Sequence, residues 1–146
     1  MLPKWHAFWG LVFAIIFKLL VPQTNYLFLF LIFFASVFID FDHYLAASIK
    51  NKTWSLKHAI KSNYASRSEA MELRKSKGIC RKGDFHIFHT FEFILAVYLF
   101  SFLWFPAIYI FIGMVFHSFM DIIYLINKDF LYRREFSLIN WILTRK

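Results

Sequence analysis

The chain has 146 residues, of which 60% are hydrophobic and 23% aromatic, whereas an ordinary soluble domain is about 45–50% apolar. Charged residues make up only 18%, and the apolar residues occur in long runs. This composition excludes an ordinary soluble globule, a disordered chain and a coiled coil, and it predicts a membrane protein of one domain. The single cysteine, Cys80, excludes an intramolecular disulfide and lies in a Lys/Arg-rich segment of cytosolic type.

Four apolar runs are near the roughly 17–25 residues that a membrane-spanning helix needs. They cover residues 5–21, 25–41, 87–105 and 107–126. Pro22 and Pro106 separate the paired runs, as residues typical of turns do. The first run carries Lys18 and has no small-residue cleavage site after it, so we expect it to be retained as an anchor. The predicted fold is an all-α bundle of four transmembrane helices.

Basic residues predict the orientation of this bundle. The connection 44–84 carries ten Lys/Arg against three acids, which makes it cytoplasmic by the positive-inside rule. Both termini then also lie in the cytoplasm, and we expect a multi-pass protein of the cytoplasmic (inner) membrane. The capping-box spacing of Ser66 and Glu69, followed by Gly78, predicts a short helix over 67–77. Amphipathic spacing predicts an interfacial helix over about 130–144.

The formal net charge of +8 has two interpretations. Basic patches attract nucleic acid as well as anionic lipid. Basic residues that flank membrane spans are explained by topology and by attraction to anionic lipid headgroups. The loop contains no aromatic-interleaved basic module or recognition motif, so we expect the lipid bilayer as the partner and regard nucleic acid as a minor alternative.

The positions of the ionisable residues carry most of the functional information, because such groups are costly in a membrane and mark functional sites. Five of the six histidines and four of the nine acids lie in or at the ends of the predicted spans. With the predicted topology, all of them map to the cytoplasmic half of the bilayer and converge on one region. They are His6, Asp40, Asp42, His43, His86, His89, Glu92, His117 and Asp121.

The spacing of these residues favours metal ligation. His117 and Asp121 are four residues apart and His86 and His89 are three apart, so each pair projects from one helix face. Imidazole and carboxylate without cysteine suit Zn²⁺, with Mn²⁺ or Fe as alternatives. The number of candidates exceeds the four ligands of a structural zinc site, which favours two ions or one ion with further supporting residues.

Several candidates also have a purely structural interpretation. His6 is a potential interfacial anchor. Asp40 and Asp42 are potential helix-end residues, although a carboxylate is disfavoured at a helix C-terminus, whose partial charge is already negative. His86 and Glu92 fit supporting or structural roles as well as direct ones. His58 lies in the basic loop and is expected to be solvated.

The order of these motifs resembles the YdjM-like family of membrane-bound, metal-dependent hydrolases, and more remotely the zinc-dependent phospholipase C and nuclease group. The matching elements are His6, Asp40-Phe41-Asp42-His43, Phe88-His89-Thr90 and His117-Ser118-Phe119-Met120-Asp121. The family's usual Arg-Gly-x-Thr-His-Ser element reads Phe-His-Ile-Phe-His-Thr at 85–90. Its arginine is therefore absent here, and His86 is a candidate substitute. The resemblance implies a metal-dependent hydrolase that is embedded in the membrane.

We therefore expect a metal-dependent hydrolase at the cytoplasmic leaflet, in which one or two ions activate water and Glu92 accepts its proton. A site at the lipid interface beside a basic surface suits an amphiphilic anionic substrate, with a lipid phosphoester as the leading candidate. The alternatives are a protein that carries or senses a metal ion, and a structural protein whose His–Asp pairs only join helices. The absence of histidines and acidic residues from the outer half of the spans argues against transport.

Overall fold

The computed structural model describes residues 3–80 and 82–144. Within these ranges the regular secondary structure is entirely helical, as predicted. Seven α-helices follow one another along the chain: α1 (Pro3–Leu20), α2 (Tyr26–Phe38), α3 (Phe41–Asn51), α4 (Leu56–Lys77), α5 (Phe91–Phe100), α6 (Ala107–Asn127) and α7 (Leu138–Thr144). Short 3₁₀ turns lie at Ile87–His89 and Leu131–Arg133.

The turn between α1 and α2 forms at the predicted position and accounts for the lysine in the first apolar run. Lys18 Nζ donates hydrogen bonds to the carbonyl oxygens of Pro22 and Thr24, at 2.6 and 2.9 Å. Asn25 Oδ1 accepts the Leu27 N–H at 3.0 Å and so caps the start of α2. The Lys18 charge therefore lies at the end of α1, where it satisfies carbonyl groups of the turn that follows the helix.

A break separates α2 from α3 immediately before the Asp-x-Asp-His motif. In a regular α-helix the Asp40 N–H would bond to the Ser36 carbonyl, four residues earlier. It bonds instead to the Val37 carbonyl at 3.4 Å. This tighter step turns the chain between the two helices, so Asp40 lies at the corner and Asp42 lies in the first turn of α3.

Helix α2 is the centre of the packing and contacts both α1 and α6, while α5 packs against α6 and α4 against α3. The closest approach of α2 and α6 is at Gly113, where a Cβ atom would lie only 2.3 Å from the Ile32 carbonyl oxygen. Glycine is therefore required for the two backbones to come this close. The adjacent buried cluster consists of Ala35, Ile39 and Met114.

Two segments of the described residues are long and apolar enough to cross a membrane, Tyr26–Asn51 and Ala107–Asn127. They correspond to the second and fourth predicted spans. Only 28% and 22% of their most apolar windows are buried, whereas the core helix of a soluble protein is mostly buried. Helix α5 has only ten residues, a length of about 15 Å at 1.5 Å per residue, so the four-span bundle stays a prediction.

The basic loop 44–84 and the tail differ from the predictions in two places. The predicted start of the loop helix at residue 67 is wrong: α4 begins at Leu56, because Ser55 Oγ accepts the His58 N–H and supplies an earlier cap. Its end at Gly78, which has a φ of 67°, is confirmed. The continuous helix predicted over 130–144 is also wrong, because residues 134–137 are not helical. There the Phe136 carbonyl accepts the Phe91 N–H at 2.9 Å and so attaches the tail to the start of α5.

Candidate metal centre

The fold brings all eight predicted metal ligands into three overlapping groups at one end of the helices. Within each group, one ligand atom per residue lies within 4.8 Å of all the others. The groups are His6/Asp40/His117/Asp121, Asp40/His43/His89/Asp121 and Asp42/His43/His86. Residues from α1, α2–α3, the 3₁₀ turn before α5, and α6 therefore meet at one place, although up to 115 positions separate them in the sequence.

The first two groups have a common design. Each contains two histidines, and both contain the same two carboxylates, Asp40 and Asp121. Asp40 lies at the corner between α2 and α3, where its Oδ1 is 3.5 Å from His43 Nε2 and 3.5 Å from His117 Nε2. Two ions that share carboxylate ligands require this kind of arrangement.

The hydrogen bonds of His89 and His117 indicate that the centre requires positive charge. A carbonyl oxygen only accepts hydrogen bonds, so His117 Nδ1 is the donor in its 2.7 Å contact with Ser36 O. A carboxylate likewise only accepts, so His89 Nδ1 donates to Asp42 Oδ2 at 3.1 Å. In the neutral rings both Nε2 atoms then carry lone pairs, yet they lie 3.2 Å apart. A proton or a metal cation beside them removes the repulsion.

Asp42 supports His89 and also holds the backbone that carries it. Its Oδ2 accepts both His89 Nδ1–H and the Phe88 N–H, at 3.1 and 3.0 Å. A carboxylate on the far nitrogen of a histidine fixes the ring orientation and its tautomer, as is usual around metal sites. The same role falls to the Ser36 carbonyl for His117. Asp42 was predicted as a ligand, and its Oδ1 belongs to the third group, 3.8 Å from His86 Nδ1.

Three buried polar atoms around the centre have no hydrogen-bond partner among the described residues. They are His6 Nε2, Asp42 Oδ1 and His86 Nδ1. His6 Nε2 lies 3.2 Å from Asp121 Oδ1, but the pair has no hydrogen bond of acceptable geometry. Burial of an unsatisfied polar atom costs about 1–3 kcal/mol, and a cation bound between these atoms would satisfy them. The residues present therefore fit one or two divalent cations.

A small polar cavity of about 70 Å³ opens beside the centre. Asp121, His43 and His86 lie in its wall together with three arginines, Arg67, Arg133 and Arg134. Arg134 forms an ion pair with Asp121 Oδ2. Burial lowers the pKa of the His86 imidazole to about 4, because a desolvated ring is less stable in its charged form. His86 is therefore neutral at pH 7.

These arginines were missed as site residues. Arg133 and Arg134 are among the five basic residues that follow the last predicted span, and nothing local in the sequence separates them from the other three. Their position after that span was the available sequence signal, because the tail was predicted to lie at the same membrane face as the candidate ligands. Arg134 supplies a guanidinium near the centre.

Glu92, which was predicted to accept a proton from water, belongs to none of the three groups. Its carboxylate accepts hydrogen bonds from Ser137 Oγ at 2.6 Å and from the backbone N–H of Leu138 at 3.0 Å. These are the contacts of a residue that caps the start of α7. The catalytic role of Glu92 stays a prediction to which the geometry adds no support. His58 is exposed, as expected.

Comparison with family models, with curated proteins and with solved structures gives no match to this chain.

Proposed function

We propose that the protein is a metal-dependent hydrolase of the YdjM-like type, held in the cytoplasmic membrane with its metal centre at the cytoplasmic end of the helices. The observation that carries the proposal is the pair of buried His₂Asp₂ groups that share Asp40 and Asp121. A helix-joining role would be served by fewer polar residues.

A divalent metal ion held by these residues would supply a coordinated water that ionises near neutral pH and positive charge that stabilises a developing oxyanion. The chain contributes orientation. Ser36 O and Asp42 hold the outer nitrogens of His117 and His89, so both Nε2 atoms point inward. Neutral His86, whose buried Nδ1 has no hydrogen-bond partner among the described residues, keeps a lone pair for a metal ion.

The membrane location is supported by the exposed apolar surface. Large side chains such as Leu11, Ile15, Leu27 and Phe30 are each more than half exposed, which in water would be an aggregation hazard. Two segments of the described residues have the length and composition of membrane spans. The basic residues concentrate in the loop and the tail, as the positive-inside rule requires for a cytoplasmic face.

The test is elemental analysis of the full chain, purified in detergent, beside two variants. We expect one or two equivalents of zinc, manganese or iron in the wild type and in His58→Ala, which removes an exposed histidine outside the centre. We expect the double variant His89→Ala/Asp121→Ala to lose the metal while its circular dichroism stays helical. The metal-loaded protein should then hydrolyse phosphoesters, and His117→Ala should abolish turnover.

Folded wild-type protein that contains no metal, and that binds none when zinc or manganese is supplied, would refute the proposal and favour the helix-joining role. Metal binding without turnover of any phosphoester or lipid would instead leave a metal-binding protein. Uptake of Zn²⁺ into liposomes that Asp121→Asn abolishes would favour transport.

A further inference from the structure

Two cavities of opposite chemistry meet at the metal centre. The first is the polar cavity lined by Arg67, Arg133 and Arg134. The second is a larger groove between α2–α3 and α4, with a volume of about 830 Å³. His43, Asn63 and Arg67 line both, and Asp40 lies in the wall of the groove. A molecule that occupies both cavities therefore passes directly over the ligands of the centre.

The polar cavity has the chemistry of a phosphate site. Three guanidinium groups present planar forks of N–H donors, which match phosphate oxygens in pairs. The acidic groups nearby already have partners: Asp121 pairs with Arg134, and Asp84 Oδ1 accepts from Lys50 Nζ at 3.0 Å. An anionic group that enters this cavity thus meets net positive charge.

The groove has the chemistry of a hydrocarbon site. Leu56, Ile60 and Tyr64 form one side of it, because residues four apart lie on one face of α4. Phe38 and Phe41 form the opposite side at the end of the candidate span Tyr26–Asn51. All five side chains are more than a third exposed. The volume is in the range of about 300–1,000 Å³ that small-molecule sites have.

We propose that the occupant of the two cavities is a lipid with a phosphoester headgroup, its phosphate in the arginine cavity and its hydrocarbon chain in the groove of α4. This inference rests on the proposed function, for which it defines the substrate class. Charge complementarity selects an anionic headgroup. The position of the groove beside a segment that can span a membrane selects a lipid rather than a water-soluble phosphoester, because the chain enters from the bilayer without crossing water.

The test is photolabelling of the full chain in phosphatidylcholine nanodiscs with a sixteen-carbon alkyl phosphate that carries a diazirine in the middle of the chain. We expect peptide mapping to place the label within 37–44 and 56–64. Excess hexadecyl phosphate should displace it, whereas inorganic phosphate and hexadecyltrimethylammonium should not. Inorganic phosphate lacks the chain, and the ammonium lipid carries the wrong charge.

Two variants, each with a matched control, separate the parts of the site. Ile60→Trp fills the groove and should lower labelling at least about fivefold, whereas Ile123→Trp, at a similarly exposed apolar position on α6, should not change it. Arg67→Gln should lower labelling about tenfold, the loss expected from one charge-assisted contact. Lys75→Gln, an exposed cation on the same helix, should leave labelling unchanged.

Labelling that spreads over the exposed apolar helices and is equal in all variants would overturn the inference, as would equal displacement by the ammonium lipid. Either result leaves the metal analysis intact, so the hydrolase proposal would stand with another substrate. Specific labelling of the groove, with no hydrolysis of any alkyl phosphoester by metal-loaded protein, would uphold the binding site and remove the hydrolase.

Discussion

The substitution Gly113→Ala tests how the packing of α2 against α6 creates the centre. A Cβ atom at this position would lie 2.3 Å from the Ile32 carbonyl oxygen and 2.9 Å from Ala35 Cβ. Neither neighbour can rotate away, so the helices must separate. His117 and Ser36 lie one turn beyond Gly113 and Ile32, and their 2.7 Å hydrogen bond would lengthen with the separation.

Three effects determine the change in the free energy of unfolding, two that lower it and one that raises it. Overpacking costs about 1–3 kcal/mol, and loss of a hydrogen bond costs about 0.5–1.5 kcal/mol. Alanine returns about 1 kcal/mol through its higher helix propensity. The free energy of unfolding should therefore fall by about 1–3 kcal/mol, which lowers the Tm by roughly 3–10 °C for a chain of this size. Zinc affinity should fall about 10–100-fold, as it does when a ligand histidine loses its support.

Thermal unfolding in detergent, followed by circular dichroism, measures the first effect, and zinc titration against a competing chelator measures the second. Gly10→Ala is the matched control. Its Cβ would meet Ser36 Oγ at 2.1 Å, and the hydroxyl can turn to another rotamer at the cost of its hydrogen bond to the Phe33 carbonyl. We therefore expect a loss of about 0.5–1.5 kcal/mol without a change in zinc affinity. Wild-type stability and zinc affinity in Gly113→Ala would refute the proposed link between this contact and the ring of His117.

Three further predictions concern residues around the centre. Asp42→Ala should lower zinc affinity about 10–100-fold and destabilise the protein by about 2–6 kcal/mol, because the N–H donors of Phe88 and His89 lose their acceptor. Asp42→Asn keeps an oxygen at this position and should retain most of the stability. Equal losses of stability in both variants would contradict this reasoning. Glu92→Ala should speed hydrogen exchange over 134–144 without changing metal content, whereas loss of turnover with unchanged exchange would return Glu92 to the catalytic role. Metal-free protein should lose stability as pH falls from about 6.5 to about 4, because His86 binds a proton in that pH range only when the chain is unfolded. His86→Gln should reduce this dependence of stability on pH. A His86 imidazole that titrates near 6.5 in the folded protein by NMR would contradict the prediction.

The eight ligand candidates could be predicted because their local spacing combines with the positive-inside rule, which applies to the whole chain. Span order and the positive-inside rule predict that His6 and His117 lie at the same membrane face, although 111 positions separate them. Helical spacing then joins His117 to Asp121 on one face of α6. The predicted topology was therefore sufficient to bring these ligand candidates together, without knowledge of any contact.

The supporting residues could not be predicted in this way, because they depend on irregular backbone and on the path of the tail. The Ser36 carbonyl does not accept the Asp40 N–H, because the helix breaks there, and it bonds to His117 Nδ1. Arg134 reaches Asp121 only because residues 134–137 run beside α5 instead of continuing as a helix. The start of α4 was misplaced because Ser55 and Ser66 are both valid caps, and only packing of α4 against α3 selects the earlier one.

The break at residues 36–40 also affects how such a centre can be inherited. If α2 continued as a regular helix, the Asp40 N–H would share the Ser36 carbonyl with the ring of His117. Asp40 would leave the corner, since each helical residue turns the chain by about 100°. A substitution that strengthens the helix could thus abolish metal binding while every ligand is retained. A comparison of related chains by their ligand residues alone would therefore group chains that bind metal with chains that do not. The break between α2 and α3 would distinguish them.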